Sequence, residues 1–132
     1  MMLRVSAGIV VSNSKVLCFQ KGESKYDYLT NKYEFPGGKI EFGESPEQAL
    51  IREFSEELHA TIEQKDLQFL CRTQCEYPDF SVEIFSFIIK TDRFEFTLTE
   101  HQQAIWTSAS EIDSLDWAEA DKAIVEQLRA AL

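Results

Sequence analysis

Residues 37–60 read GGKIEFGESPEQALIREFSEELHA, from Gly37 to Ala60. The second half of this stretch spells a helix. Ser45 is a good N-cap, Pro46 fits the first helical position, and Gln48 completes an S-x-x-Q capping box. Ala49, Leu50, Ile51, Phe54 and Leu58 form an apolar stripe at helical spacing. At about 100° per residue, Glu53, Glu56 and Glu57 fall on an adjoining arc, beside Arg52. The spacing predicts a buried core side and a carboxylate side that looks out. Most charged helix faces are simply solvated. This one has no Lys at i+4 to pair its glutamates, and each like-charge pair costs an isolated helix about 0.2–0.5 kcal/mol. Crowded carboxylates of this kind ask for a cation, and a bound cation asks for an anionic substrate. Upstream, Gly37 and Gly38 follow Pro36 and allow a backbone path that side chains would block. Glu44 stands just before the cap.

The rest of the chain frames this segment. Its 132 residues predict one domain, 1–132, with a workable core, and 44% hydrophobic residues is ordinary for a globular protein. No run is long enough to span a membrane, and the N-terminus lacks a basic region followed by an apolar signal segment. Cys18, Cys71 and Cys75 are odd in number and show no C-x-x-C spacing, so they read as reduced thiols of a cytoplasmic protein rather than metal ligands. A net charge of −10 argues against binding nucleic acid polymers. A polyphosphate would have to be drawn in by metal ions and a few local cations.

Strands dominate outside the helix. Arg4–Val11 and Lys15–Phe19 predict a hairpin turning at Ser12-Asn13-Ser14. Lys21–Thr30 reads as a polar surface loop, and Lys32–Phe35 as a short strand entering the glycine turn. Leu67–Tyr77 and Phe80–Lys90 predict two strands joined at Pro78-Asp79. The second mixes alternation with a continuous apolar run, as a buried strand does. Ala104–Thr107 is a further short strand, and Ser108 or Ser110 is expected to cap a turn at 110–114. Ala118–Leu132 predicts a last amphipathic helix with Ile124, Val125 and Leu128 inward. The result is an α/β fold with a mixed sheet between helices.

Gly38, five residues, Glu44, seven residues, then Arg52-Glu53-Phe54-Ser55-Glu56-Glu57 resembles the Nudix box, G-x5-E-x7-R-E-U-x-E-E-x-G-U. The chain is similar to the MutT-like and CTP pyrophosphohydrolase-like members of that family over most of its length, including Tyr33-Glu34-Phe35-Pro36. It departs at the end of the box, with His59 in place of Gly and Ala60 in place of a larger apolar residue. The Gly normally closes the helix in a left-handed conformation. His also visits that region, so a modest cost and an intact site are expected.

The resemblance implies an α/β/α sandwich and a Mg²⁺-dependent nucleoside triphosphate pyrophosphohydrolase, with Mn²⁺ as an alternative ion. It also implies a monomer or homodimer. Glu53, Glu56 and Glu57 would hold metal, with the carbonyl of Gly37 a further ligand. Arg52 would orient a glutamate by a charged hydrogen bond. Glu100 stands where MutT-like proteins place another carboxylate, as base or metal ligand. His101 reads as a loop residue rather than a catalyst, and His59, at the helix end, as structural. Lys21 and Lys39 are candidates for phosphate, and Phe35, Tyr77 and Phe80 for stacking on a base. Asp121 falls near the base-reading position. An ionised carboxylate there accepts from the amino group of cytosine or from oxidised guanine, and rejects the N7/O6 edge of ordinary guanine. Two other readings remain open at this point: hydrolysis of another diphosphate, such as ADP-ribose or a dinucleoside polyphosphate, and a non-catalytic nucleotide-sensing module.

Overall fold

The computed structural model describes residues 1–132. Strand β1 (Met2–Ser12) turns through Asn13 and Ser14, both at positive φ, into β2 (Lys15–Gln20). Two central residues at positive φ make the turn whose twist suits a two-residue hairpin. After a loop come β3 (Tyr33–Glu34) and β4 (Gly37–Lys39). Helix α1 (Pro46–Leu58) follows, then β5 (Gln68–Glu76), β6 (Ser81–Lys90), β7 (Gln103–Ser108) and helix α2 (Glu119–Ala131).

The strands form one mixed sheet in the order β3-β2-β1-β6-β5, with β7 against β2 and β4 against β1. β1 and β6 run parallel over ten paired positions, from Met2↔Ser81 to Val11↔Lys90. Both are covered on two faces. On one, Ala7, Ile9, Val11, Ile84 and Ile88 pack with Ile124, Val125 and Leu128 of α2. On the other, Val10, Phe87 and Ile89 pack with Leu50, Phe54 and Leu58 of α1. This is why β6 reads as a nearly continuous apolar run. Phe54 is wholly buried, and truncating it to Ala would cost about 3–5 kcal/mol. The sheet therefore lies between two helices, as the expected sandwich requires.

Two local expectations need correction. Residues 37–39 form a strand rather than only a turn, pairing Gly37 with Ala7 and Lys39 with Val5. Neither Ser108 nor Ser110 caps the following turn, which is a single 3₁₀ turn at Ile112–Ser114 with no side-chain cap. The Ser108 hydroxyl is instead engaged with the Ser110 hydroxyl and the Glu111 carboxylate.

Candidate active site

Helix α1 is held where the box requires it. The Ser45 hydroxyl accepts from Gln48 N–H, and the Gln48 side chain accepts from Ser45 N–H. At the other end His59 takes the left-handed conformation, φ 52°, and Ala60 N–H reaches back to the Phe54 carbonyl. The helix C-terminus leaves carbonyls without helical partners. The segment after β6 supplies some: Thr97 N–H donates to the Leu58 carbonyl and the Thr99 hydroxyl to the Glu57 carbonyl. That docking carries the next residue, Glu100, to the side of Glu57.

Gly37 and Gly38 position the other side. A Cβ on Gly37 would lie 1.9 Å from the Ser6 carbonyl oxygen, and one on Gly38 would lie 2.3 Å from Cδ of Glu53. Only a residue without a side chain lets β4 pair with β1 while the Glu53 carboxylate rests on its backbone.

Arg52 ties these parts together. Its guanidinium donates to both carboxylate oxygens of Glu44, at 2.7 and 3.0 Å, and to the Lys39 carbonyl at 2.9 Å. It also donates to Glu53 at 2.9 Å and Glu56 at 3.3 Å. Glu44 is held below the usual carboxylate range by Arg52 and by the N–H of Glu41. Glu57 behaves in the opposite way. Burial, then the facing carboxyls of Glu100 and Glu53, push it up to about 9.

Three carboxyls this close keep a proton or take a cation. An all-oxygen donor set suits a hard divalent ion such as Mg²⁺. As they stand the side chains do not close into a cage of three ligands, with Arg52 engaging Glu53 and Glu56.

A cleft of about 250 Å³ opens beside this group, where Gly38 lines it and the Glu53 carboxylate rests on Gly38. Gly37, Gly38, Lys39, Lys21, Phe35, Tyr77, Phe80 and Asp121 all line it, so the structure brings the sequence-derived substrate candidates to one place. Phe35 needs a correction. It is only 5% exposed, with its ring against Trp117 at 4.8 Å, so the ring belongs to the core. What it offers is its N–H, which donates to Asp121 Oδ2 at 3.0 Å. Tyr77 and Phe80 face each other at 5.2 Å and are joined by Tyr26 and Tyr28 from the 21–30 loop. That loop is thus less polar in role than it reads.

Asp121 is buried, and desolvation, followed by the nearby charge of Glu34, raises it well above the ordinary carboxylate range. It is not a simple ionised acceptor, because a proton on it makes it a donor as well. Sequence reasoning passed over Glu34 and treated His101 as a loop residue. Glu34 lines the cleft, and His101 stands behind it, with His101 Nε2 2.8 Å from Glu34 Oε2. The EFPG run containing Glu34 was the available signal. A larger hollow of about 540 Å³ near His59–Ile62 contains none of these groups.

Comparison with known proteins agrees with this geometry. Residues 2–131 match the NUDIX domain family, and the chain belongs to it as a Nudix hydrolase. It is 29% identical to the 8-oxo-dGTP diphosphatase of Escherichia coli K12 over 128 residues, covering 96% of each chain. It is 30% identical to the CTP pyrophosphohydrolase of the same organism over 129 residues, covering 98% of this chain and 93% of the relative. The solution structure of the E. coli ORF135 protein superimposes with a TM-score of 0.81 at 29% identity, over 98% of this chain and 89% of that one. No helix is long and apolar enough to cross a membrane.

Proposed function

We propose that this chain hydrolyses a ribo- or deoxynucleoside triphosphate to the monophosphate and pyrophosphate, with Mg²⁺ as cofactor and a cytosine or oxidised-guanine nucleotide as substrate. Clearing such nucleotides from the pool would be its role. The observation that carries this is the cleft itself. Its lining runs from Gly38, against which the Glu53 carboxylate of the Glu53, Glu57 and Glu100 group rests, to a buried Asp121 flanked by aromatic rings.

Glu53, Glu56, Glu57 and Glu100 would hold the ion, with the Gly37 carbonyl a further ligand. When bound, a divalent cation neutralises phosphate oxygens and acidifies water. Arg52 keeps Glu44, Glu53 and Glu56 in register, a role for a fixed fork of donors. Lys21 and Lys39 meet phosphate charge along the cleft. The water oxygen bonds to the β-phosphorus, the bridge to the α-phosphate breaks, and the nucleoside monophosphate departs. The proton that water loses passes to a carboxylate, Glu57 or Glu100. Tyr77 and Phe80 pack on the base, and Asp121 reads its edge.

A screen of normal, methylated and oxidised nucleoside triphosphates for pyrophosphate release with Mg²⁺ tests the reading. Monophosphate and pyrophosphate should form, with a cytosine or oxidised-guanine nucleotide favoured about ten-fold or more, a discrimination of about 1.4 kcal/mol. Orthophosphate as product, preference for ADP-ribose, or nucleotide binding without turnover would overturn it.

A further inference from the structure

His101 is packed as a core residue yet keeps a polar ring. Its side chain is 7% exposed, and the ring lies 4.9 Å from that of Phe19. Nδ1 is buried without a hydrogen-bond partner. A Phe would fill the same space without stranding a polar atom. Buried polar atoms are nearly always satisfied, and the exceptions call for an explanation. Here the explanation is the other nitrogen, whose N–H donates to Glu34 Oε2 at 2.8 Å.

Glu34 is worth holding. It lies on β3 opposite Phe19 and lines the cleft. The next residue, Phe35, donates its N–H to Asp121. Two carboxyls thus face one cleft, and a mobile Glu side chain would swing away from Asp121 into water. The His101 bond occupies Oε2 and leaves Oε1 without a protein partner.

His101 is itself fixed on both sides. Thr97 and Thr99 dock on the end of α1. Gln102 bonds Gln20 through both backbone and side chain, and Gln103 donates to the Tyr33 hydroxyl.

We propose that His101 is a positioning residue for substrate recognition. It holds the Glu34 carboxylate in the cleft as a fixed acceptor for a donor group on the nucleotide, either a base amino group or a sugar hydroxyl. This rests on the nucleotide reading above.

The test is a double-mutant cycle read by CMP affinity and by KM and kcat for CTP. His101→Phe should weaken CMP binding and raise KM about ten-fold, with kcat within about three-fold and no fall in thermal midpoint. Combined with Glu34→Ala it should add less than about two-fold, since the two residues act as one unit. His101→Gln, whose amide reaches the Nε2 position, should recover most of the loss. His101→Asn, whose amide reaches only the Nδ1 position, should not, and this pair carries the test if the Phe variant does not fold. UMP in place of CMP separates the donors: the Glu34→Ala loss vanishes with UMP for an amino donor and persists for a sugar hydroxyl.

Unchanged affinity in His101→Phe, equal behaviour of the Gln and Asn variants, or independent losses in the cycle would overturn the assignment. Parent protein that cleaves triphosphates but ignores these changes overturns this inference alone. Parent protein that neither binds nor cleaves nucleotides overturns the functional reading with it.

Discussion

The carboxylate group proposed to act at phosphate and the end of the cleft proposed to hold the base are assembled in different ways. At the phosphate end, Arg52, Glu53, Glu56 and Glu57 come from two turns of one helix, with Glu44 and Gly38 just upstream. Only Glu100 arrives from elsewhere. At the base end, Glu34 comes from β3, Tyr77 and Phe80 from the β5–β6 connection, Asp121 from α2, and Tyr26 and Tyr28 from the 21–30 loop. The first end is a local motif with charge in excess. The second is a product of tertiary packing, with one buried carboxyl and few charges. The proposed chemistry at phosphorus and the proposed selection of a base are therefore separable, and substitutions should separate them.

The largest effect belongs to the phosphate end. Glu57→Gln should cut kcat about a thousand-fold, roughly 4 kcal/mol, because one of the carboxylates proposed to hold the cation is gone. CMP affinity should stay within about two-fold. Arg52→Lys should cost about a hundred-fold in kcat, since a point charge cannot bond Glu44, Glu53 and the Lys39 carbonyl together. Gly38→Ala should cost about ten-fold or more in kcat, because its Cβ must push the Glu53 carboxylate aside. In each case steady-state kinetics with CTP and CMP binding would show whether the loss stays at one end.

At the base end the effect is on selectivity. Asp121→Asn should leave kcat within about three-fold and change the ranking of bases by about ten-fold, the cost of one mispaired buried group. The parent's pH dependence sharpens this. Asp121 is raised, so it loses its proton only well above the usual carboxylate range. A ligand that offers a donor binds the ionised form, and its affinity should rise with pH. A ligand that needs a donor should lose affinity over the same range. Affinities of CMP and oxidised dGMP between pH 5 and 8 would show which holds.

Stability should follow the phosphate end. Glu57 takes its proton at about 9 when folded and at an ordinary carboxylate value when unfolded. The folded protein therefore binds the proton more tightly, and metal-free stability should fall as pH rises from about 5 toward 9. Below that window Glu44, lowered by Arg52, and Glu83, lowered by Gln74 and then Arg72, lose their pairing and reverse the trend. Thermal midpoints across pH should show this maximum, and Glu57→Gln should flatten the alkaline limb.

The same contrast explains what the sequence made legible. The capping box, Pro46 and the left-handed His59 are local devices, and they stand where their residue types place them. Strand β4 did not show, because two glycines and a lysine carry no strand pattern. Its pairing depends on Ser6 and Ala7, far back in the chain. The burial of His101 depends on Phe19 and on Glu34, 67 residues away. Tyr26 and Tyr28 sit in a polar stretch, and only folding brings them to Tyr77 and Phe80. Asp121 could be placed near the base by resemblance, but its raised proton affinity comes from packing that no single segment encodes.

The central claim is that Glu53, Glu57 and Glu100 form a group that must hold either a proton or a cation. Calorimetric titration of Mg²⁺ into the metal-free protein near pH 7.5, repeated in buffers of different ionisation enthalpy, tests it directly. The account predicts release of about one proton as Mg²⁺ binds, and loss of that release in Glu57→Gln. Binding with no proton released, or no binding at all, would contradict it.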